Sequence, residues 1–480
     1  MRGTRNLPFG ISIVIALRPY QDAWIDGLRQ SFRAGHHSPL GVLPTGGGKT
    51  VCFSYLTSRL IAAGKRVVIL VHRDELIRQV SDTLTAFGVD HGRIAAGQLY
   101  DRRQPAHVAS VFALARRLDR VAVPDYVICD EAHHCIAGSS WGKVVAHWRA
   151  LNPQLRVIGV TATPERLSGE GLGEVFDDMV LGPTVRQLID LGALAQYRMF
   201  APKQAVDLSG IGRRGGDFVR SEAAAAMDKP AIIGDSVAHY RRHCDGLPAV
   251  AFCVSVEHAE HVAAQYRTEG YRSASIDGSM PRELRRGILQ EFSRGQLNVL
   301  TSCDLISEGF DVPGIVAAIL LRPTQSLALY LQQVGRALRT APGKAHAVIL
   351  DHVGNSARHG APCDDRDWSL VGRSEATRKT KAGEASVRQC PTCYAISPAA
   401  ASKCRECGQA FPLQAREVEV LEGELSEVEV AKTRRDAVRA QAEAQTLDDL
   451  IALATERGYK NPVGWARHVH SGRQAKRGAA

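Results

Sequence analysis

Short apolar runs alternate with longer amphipathic stretches along most of this 480-residue chain. Between residues 14 and 200 the apolar runs include VVILV, YVICD and RVIGV, and stretches such as DELIRQVSDTLTAF have helical periodicity. The alternation is lost at about residues 201–229 and returns between residues 232 and 353. Strands and helices that alternate in this way are typical of parallel sheets covered by helices. The sequence therefore predicts an α/β fold with two parallel-sheet domains, joined by a connector that ends in a helix.

Composition and charge limit the class of protein and of partner. Hydrophobic residues make up 45% and charged residues 23% of the chain, close to the average of globular proteins, which excludes a wholly disordered or fibrous chain. The 60 Lys and Arg residues exceed the 50 Asp and Glu residues, and the net charge of +10 favours a polyanionic partner such as nucleic acid. A generally basic proteome is the alternative explanation of that charge.

Neither a membrane span nor a secreted disulfide framework is indicated. The apolar runs at residues 11–17 and 249–256 are much shorter than the about 20 residues that a membrane helix needs. The first run follows Arg2 and Arg5 without a cleavage site, so it is predicted to be a buried strand and not a signal peptide. Of eleven cysteines, four lie in CPTC and CREC and seven are scattered, which is typical of a cytoplasmic metal-binding protein.

The loop PTGGGKT, residues 44–50, lies between an apolar run and a helix-like segment. In that setting backbone N–H groups can bind phosphates, the lysine can reach the β- and γ-phosphates, and the threonine can bind Mg²⁺. The strict pattern has glycine where Leu43 stands, and a flexible glycine-rich turn without phosphate is the alternative. The residues predicted to bind ATP here are Thr45, Gly46, Gly47, Gly48, Lys49 and Thr50.

Two adjacent carboxylates end the buried run YVICDE, where they can face a bound triphosphate. Asp130 is predicted to hold Mg²⁺ through water, and Glu131 is predicted to act as general base towards the attacking water. Paired carboxylates are common in loops. Their order after PTGGGKT is what favours the functional interpretation.

The motifs PTGGGKT, DEAH, TATP and QQVGRALR stand in the order found in superfamily 2 helicases, and the resemblance extends over about residues 17–351. It implies two RecA-like P-loop domains that hydrolyse ATP and act on nucleic acid. It also implies further site residues: Arg18 and Gln21 at the adenine base, Arg73 and Gln79 on the nucleic-acid backbone, His133, Thr161 and Thr163 in coupling, Asp311 near the ribose, and Gln332, Arg336 and Arg339 around the γ-phosphate.

The two arginines of QQVGRALR lie in the second α/β unit, far beyond Lys49 in the chain. A nucleotide held by one domain is hydrolysed quickly only when positive charge meets the charge that develops on the γ-phosphoryl group. Arg336 and Arg339 are therefore predicted to be catalytic from across a cleft that ATP binding closes. Two arginines on one helix face are usually just solvated, and only their place in this motif favours catalysis.

The segment LRPTQSLALYLQQVGRALRTAPGKAHAVILDHVGN, followed by a cysteine cluster, is most similar within the superfamily to the RadD (YejH) branch of bacterial and prophage DNA-repair helicases. This similarity implies a DNA substrate, favoured over RNA, and partners among replication or recombination proteins. The chain departs from that branch in its tail, which has one four-cysteine cluster and a short helical end.

Four cysteines near the C-terminus form two C-x2-C knuckles: Cys390, Cys393, Cys404 and Cys407. Two such knuckles can close a tetrahedral thiolate site for one Zn²⁺, although the loop between them is short, and a redox pair is the alternative. The neighbouring Arg388, Lys403 and Arg405 leave open whether this ribbon contacts DNA or is a structural element only. Because the ATPase domains precede the ribbon, they are expected to stay folded without the metal.

The predicted organisation is an ATP-binding RecA-like domain at 1–200, a connector at 201–230, a C-terminal RecA-like domain at 231–372, a zinc ribbon at 386–412, an acidic linker at 413–430 and a helical, basic tail at 431–480. In the tail, Trp465 could stack on nucleic acid, but a place in a small helical core is favoured.

These features predict a monomeric, two-lobed ATPase motor on nucleic acid, with ATP, Mg²⁺ and Zn²⁺ as its ligands. Three alternatives stay open from the sequence: a DNA-dependent ATPase that remodels or recruits partners without separating strands, an RNA helicase, and the motor subunit of a restriction system. The last would need a separate subunit for cleavage, because no convincing nuclease cluster accompanies the motor.

Overall fold

The computed structural model describes residues 16–166, 171–201, 208, 210–305, 314–371, 387–411, 444, 446–456, 462–464, 466–467 and 469–470. Apart from Ala16 and Leu17, the strand predicted at residues 11–17 lies outside this part of the chain, and so does the acidic linker predicted at 413–430. The chain forms two compact units, Met1–Pro412 and Leu413–Ala480.

The first sheet consists of β1 (Pro39–Val42), β2 (Val67–Val71), β3 (His91–Ile94), β4 (Ala106–Ser110), β5 (Tyr126–Asp130), β6 (Arg156–Thr161) and β7 (Asp178–Leu181). Its order is β3-β4-β2-β5-β6-β1-β7, and every pair is parallel. In β2, Val68 and Leu70 join the hydrophobic core on one face, and Val67 and Ile69 join the core on the other. A strand buried on both faces needs a continuous apolar run, which VVILV supplies.

The helices that cover this sheet are α1 (Pro19–Arg33), α2 (Lys49–Ala62), α3 (Asp74–Ala86), α4 (Val111–Ala115) and α5 (Ser140–Leu151). The next helix is α6 (Val185–Asp190), whose Leu188 and Ile189 belong to the core of the second sheet. Trp24, Ile25 and Leu28 of α1 pack on one face of the sheet, and Trp141 and Trp148 of α5 pack on the other. Their spacing places the large side chains of each helix on one side. This sheet and its helices are the first lobe.

The strand β8 (Tyr197–Phe200) follows the first lobe in sequence but belongs to the second sheet, where it pairs in parallel with the strand Ala347–Asp351. Met199 and Phe200 are buried in the second core. The boundary predicted at residue 200 thus falls after a strand of the second sheet, because a short apolar run does not reveal which sheet it will join. The connector then contains the antiparallel pair β9 (Arg213–Arg214) and β10 (Asp217–Phe218) and the helix α7 (Arg220–Met227).

The second sheet also contains β11 (Ala249–Cys253), β12 (Ser273–Ile276), β13 (Val299–Cys303), β14 (Ala317–Leu320) and β15 (Ala347–Asp351). Its order is β12-β13-β11-β14-β15-β8, again with parallel pairs throughout. Its helices are α8 (Pro230–Cys244), α9 (Val256–Thr268), α10 (Arg282–Ser293), α11 (Leu327–Ala337) and α12 (Asn355–His359). This second lobe confirms the predicted fold of two parallel-sheet α/β domains.

After α12 the chain crosses back to the first lobe. The carbonyl of Leu370 accepts hydrogen bonds from the backbone N–H groups of Leu172, at 3.0 Å, and Gly173, at 3.1 Å. Trp368 and Leu370 pack against the first-lobe core. We call residues 361–371 the return segment. The C-terminal domain predicted at 231–372 therefore ends on the opposite lobe.

Residues 387–411 form a small ribbon with the antiparallel strands β16 (Val387–Gln389) and β17 (Ile396–Pro398). The ribbon lies against the edge strand β8, where Phe200 and Ala395 form a β-bridge. It contributes four residues to the hydrophobic core of the second lobe: Cys390, Ala395, Cys404 and Phe411. The ribbon thus covers an edge that would otherwise expose unpaired backbone groups.

The second unit contains the helix α13 (Leu447–Glu456), in which Leu450 and Ala454 are buried. Most of residues 431–446 and Trp465 of the predicted tail lie outside the described residues. Among the helices that the structure describes, none combines the length and the apolar character needed to cross a membrane.

Candidate active site

The PTGGGKT loop connects the end of β1 to the start of α2. Gly46 and Gly48 have backbone φ angles of 86° and 87°, in the left-handed region that favours glycine. A Cβ at Gly48 would also lie 2.3 Å from Nε2 of Gln21, so a side chain there would displace the Gln21 amide. Because α2 begins at Lys49, the loop presents the N-terminus of a 14-residue helix to any bound phosphate.

Gln21 and Tyr20 of α1 hold the loop from the side. The Nε2 of Gln21 donates to the carbonyl of Gly47 at 3.2 Å, and the hydroxyl of Tyr20 donates to the same carbonyl at 3.0 Å. The backbone N–H of Arg18 in turn donates to Oε1 of Gln21 at 2.9 Å. The structure therefore brings Gln21 to the nucleotide loop and leaves the Arg18 side chain exposed. Tyr20 was not among the predicted site residues, since an aromatic residue next to Gln21 has no distinctive spacing.

Lys49 lies close to the two carboxylates that end β5. Its Nζ donates to the carbonyl of Leu43 at 3.4 Å. Burial lowers the pKa of Lys49, although Glu131 and Asp130 oppose that effect. Burial is the largest of the effects that raise the pKa of Asp130 to about 7, and the negative charge of Glu131 adds to it. The positive charge of Lys49 acts in the opposite direction. Lys49 thus faces two carboxylates, whose oxygens could also hold a metal ion.

A chain of polar contacts runs from the DEAH motif to the TATP motif. Glu131 has a left-handed backbone φ of 51°, and its Oε2 lies 3.4 Å from Nδ1 of His133. The same Nδ1 lies 3.2 Å from Oγ1 of Thr161. Oγ1 of Thr161 donates to the carbonyl of Thr163 at 3.0 Å and accepts the backbone N–H of Thr163 at 3.2 Å. The three residues predicted to act in coupling therefore form a chain of contacts that begins at Glu131 and runs through His133 and Thr161 to Thr163.

The second lobe reaches the PTGGGKT loop through α11. A Cβ added at Gly335 would lie 2.6 Å from the Cβ of Thr45, so the backbone of the helix lies directly against the loop. Gln332 and Arg336 are buried on this helix. The structure therefore places the predicted γ-phosphate residues of QQVGRALR at the nucleotide loop of the other lobe.

Arg339 follows the end of α11. It forms a β-bridge with Leu194, and its Cγ lies 3.5 Å from the position that a Cβ would take at Gly46. Burial lowers the pKa of Arg339, and the charges of Arg336 and Arg339 both lower the pKa of Lys49. Three cations thus converge on the place where a triphosphate would bring negative charge. Asp311, predicted near the ribose, lies outside the described residues.

The residues predicted to contact nucleic acid lie at the start of α3, towards the second lobe. Arg73 Nη1 donates to the carbonyl of Asp304 at 3.4 Å, across the junction of the lobes. Gln79 is half-buried, and its backbone carbonyl accepts the hydroxyl of Thr83 at 2.9 Å. A second contact across the junction joins Arg285 to Glu75 at 2.5 Å. No spacing in the sequence links the partners of these two contacts, which is why sequence analysis missed Asp304 and Arg285.

The four predicted zinc ligands converge within the ribbon. Their sulfur atoms all lie within 4.8 Å of one another. The Sγ atoms of Cys390 and Cys407 are 3.5 Å apart, and those of Cys393 and Cys404 are 3.6 Å apart. Four sulfurs about 2.3 Å from one zinc ion would be roughly 3.8 Å apart, so the cluster fits a tetrahedral Zn²⁺. The backbone N–H of Glu406 donates to Sγ of Cys404 at 3.4 Å, which suits a thiolate at that position.

Two family models match the chain one after the other. The model for the res subunit of type III restriction enzymes matches residues 14–166, and the model for the conserved C-terminal domain of helicases matches residues 235–341. The chain belongs to the superfamily 2 helicases. This superfamily 2 helicase is therefore an ATP-hydrolysing enzyme, as the order of its motifs predicted.

The helicase is similar in sequence to a phage protein and to a yeast helicase. It is 33% identical over 392 residues to a 51.5 kDa protein of a Lactococcus phage, with 82% of each chain covered. It is 32% identical over 360 residues to IRC3 of Saccharomyces cerevisiae, which its name assigns to the ATP-dependent helicases. That match covers 71% of this chain and 52% of IRC3, so the chain spans about half of that relative.

The fold has a counterpart among solved structures. A fragment of an HsdR-type subunit of a type I restriction enzyme from Vibrio vulnificus superposes with a TM-score of 0.57 at 23% identity. The superposition covers 72% of this chain and 65% of that fragment. At this level of identity the likeness concerns the fold alone.

Proposed function

We propose that this superfamily 2 helicase is a monomeric ATP-driven motor on DNA that works in repair, recombination or replication, as in the RadD-like branch. The observation that carries the proposal is the direct contact between α11 of the second lobe and the PTGGGKT loop of the first, at Gly335 and Thr45. A nucleotide at this contact would touch both lobes. Its binding and hydrolysis would therefore change how the lobes sit, and a strand held by both lobes would move with them.

The proposed roles follow from the geometry and chemistry of each side chain. Lys49 and the loop backbone bind the phosphates, Thr50 and Asp130 hold Mg²⁺, Glu131 takes the proton of the attacking water, and Arg336 and Arg339 stabilise charge on the γ-phosphoryl group. Mg²⁺ would supply positive charge next to the β- and γ-phosphates. The contact of His133 with both Glu131 and Thr161 makes it the link between hydrolysis and movement of the lobes.

DNA is proposed over RNA for two reasons. The family model that matches residues 14–166 carries the name of a restriction enzyme, a class that acts on DNA, and the RadD-like segment implies the same substrate. Aromatic residues make up 6% of the chain, which favours contacts to the phosphate backbone over stacking on bases. ATPase rates should be measured with single-stranded DNA, duplex, forks and RNA at one salt concentration. DNA should stimulate most, and equal or greater stimulation by RNA would instead indicate an RNA helicase.

The contact of Arg73 with the backbone can be tested through salt dependence. Replacing Arg73 by alanine should flatten the slope of log affinity against log salt on single-stranded DNA by about 0.7, the contribution of one neutralised phosphate. The loss should be uniform across DNA sequences, and fluorescence anisotropy at several salt concentrations measures it. Arg116→Ala, at an exposed arginine of the same lobe, is the matched control and should leave the slope unchanged. An unchanged slope in Arg73→Ala would mean that Arg73 serves contacts within the protein only.

Zn²⁺ is the proposed metal of the ribbon, and its proposed role is structural. Arg388 Nη1 donates to the carbonyl of Ala401 at 3.0 Å, and the guanidinium stacks over the Phe411 ring at 4.8 Å. Arg388 is thus engaged within the ribbon, which leaves Lys403 and Arg405 as its exposed cations. The ribbon shares the core of the second lobe. We therefore expect loss of the metal to affect that lobe, although the sequence alone predicted that the ATPase domains stay folded without it.

Removal of zinc should therefore destabilise the second lobe as well as unfold the ribbon. Thiolate ligation supplies the folding free energy of small zinc elements, and without it β8 loses its cover. We expect about one zinc per chain by elemental analysis, and a lower melting temperature in Cys404→Ser. Cys244→Ser, at a buried cysteine of the same core outside the ribbon, controls for the loss of a thiol and should retain zinc. Protein purified without zinc that melts at the same temperature would contradict the assignment.

A second candidate function is the motor subunit of a restriction system, favoured by the restriction-enzyme family model that matches residues 14–166. Such a motor would need a partner that cleaves DNA. Strand displacement on forked duplexes separates a helicase from a DNA-dependent ATPase that only remodels. Failure to unwind any fork, together with cleavage of duplex DNA after a partner subunit is added, would favour the restriction system.

A further inference from the structure

The carbonyl groups at the end of α11 converge on one lysine that no motif includes. Lys344 Nζ donates to the carbonyl of Arg339 at 2.8 Å, to the carbonyl of Ile315 at 2.7 Å, and to the carbonyl of Ala337. The carbonyl of Ala337 belongs to the last residue of α11, and the carbonyl of Arg339 belongs to the arginine that is proposed to meet the γ-phosphate. The third belongs to the segment that leads into β14.

The chain bends in order to bring this lysine back under the helix. Residues 341–344 form a turn in which the backbone N–H of Lys344 donates to the carbonyl of Ala341 at 3.1 Å, and Gly343 has a left-handed φ of 74°. The last carbonyls of a helix have no partner within the helix, and a cation at this end also interacts favourably with the helix dipole. Lys344 therefore donates hydrogen bonds to the backbone carbonyls on both sides of Leu338, those of Ala337 and Arg339.

We infer that Lys344 is a positioning residue that fixes the backbone of Arg339 and so aims its guanidinium at the nucleotide. This inference rests on the proposed role of Arg339. A flexible backbone at residue 339 would spread the guanidinium over several positions. Catalytic stabilisation of developing charge depends on a donor that is already in place when the charge forms. A displacement of about 1 Å can cost on the order of 10²-fold in rate.

The protonation of Lys344 matches this geometry. An ammonium group has three N–H donors, and here it meets three carbonyl acceptors. Burial lowers the pKa of Lys344 to about 8. Along α11, residues 314–320 and residues 338–346, which carry or flank its three acceptors, the other titratable side chains are Tyr330, Arg336, Arg339 and His346. As the pH rises through about 8, the ammonium loses a proton and one carbonyl loses its donor, so the hold on Arg339 weakens.

A double-mutant cycle tests the inference. Lys344→Met should lower kcat by on the order of 10²-fold with little change in the KM for ATP, and it should add almost nothing in the Arg339→Ala background. Lys65→Met, at an exposed lysine of the first lobe, is the control and should keep full turnover. Additive losses in the double variant would overturn the inference while leaving Arg339 catalytic. Normal turnover in Arg339→Ala would overturn both this inference and the proposed role of Arg339.

The pH profile gives a second measurement that does not depend on the methionine variant folding. Wild-type kcat should fall as the pH rises through about 8. Lys344→Arg keeps a charged donor at that position, so it should retain part of the turnover and lose the fall near pH 8. A fall near pH 8 that persists unchanged in Lys344→Arg would overturn the inference.

Discussion

The Arg339→Ala variant should hydrolyse ATP on the order of 10³-fold more slowly than the wild-type protein, with little change in nucleotide affinity. An arginine that meets charge developing on the γ-phosphoryl group acts mainly on the transition state, and such arginines contribute 10³-fold or more. Arg339 is half-buried where the second lobe meets the PTGGGKT loop, and its charge lowers the pKa of Lys49. Single-turnover hydrolysis and binding of a fluorescent ATP analogue measure the two quantities separately.

Arg294→Ala is the matched control, because this exposed arginine ends α10 on the same lobe, and its turnover should be unchanged. Arg336→Ala should also slow turnover, and by a smaller factor, if it assists Arg339. If Arg339→Ala instead kept its kcat, and its nucleotide affinity fell by the same factor as kcat/KM, Arg339 would bind the ground state only.

The Glu131→Gln variant should keep ATP binding and lose at least roughly 10²-fold in turnover, the low end for a positioned general base. Glutamine has nearly the same shape and leaves the hydrogen-bonding contact with His133 available, but it takes no proton from water. Lys49→Ala, by contrast, should weaken ATP binding, because it removes the cation that faces the phosphates. Steady-state ATPase rates and nucleotide binding distinguish the two outcomes.

Glu174→Gln provides the control for charge, since Glu174 is an exposed carboxylate of the first lobe. Near-normal turnover in Glu131→Gln would show that Glu131 is not the general base. A loss of ATP binding in the same variant would place its contribution in the ground state.

The strands were predictable where an apolar run is continuous. VVILV became β2, and YVICD became β5, because a parallel strand buried on both faces leaves no room for polar residues. The edge strand β8 was not assignable in the same way. Its four residues, YRMF, include the charged Arg198, so the run is not continuously apolar, and only the partner at Ala347–Asp351 decides which sheet it joins.

The site was predictable to the extent that its residues lie in motifs. Glu131, His133 and Thr161 come from two motifs, and the structure places Nδ1 of His133 3.4 Å from Oε2 of Glu131 and 3.2 Å from Oγ1 of Thr161. Lys344 stands outside every motif, and its acceptor Ile315 is 29 residues away in the chain. Contacts of this kind depend on how a turn directs one side chain, and no periodicity in the sequence encodes that direction.

The return segment has a mechanical consequence for the motor. In the part of the chain that the structure describes, two stretches connect the lobes, one after β7 and one that reaches the first lobe along residues 361–371. Gly182 and Pro183 of the first stretch and Pro362 and Trp368 of the second line one cavity beside Thr45. Two connections that lie side by side would resist twisting and sliding of the lobes more than rotation about the line that joins them. We therefore expect the cleft to open most at its far rim and least beside the PTGGGKT loop.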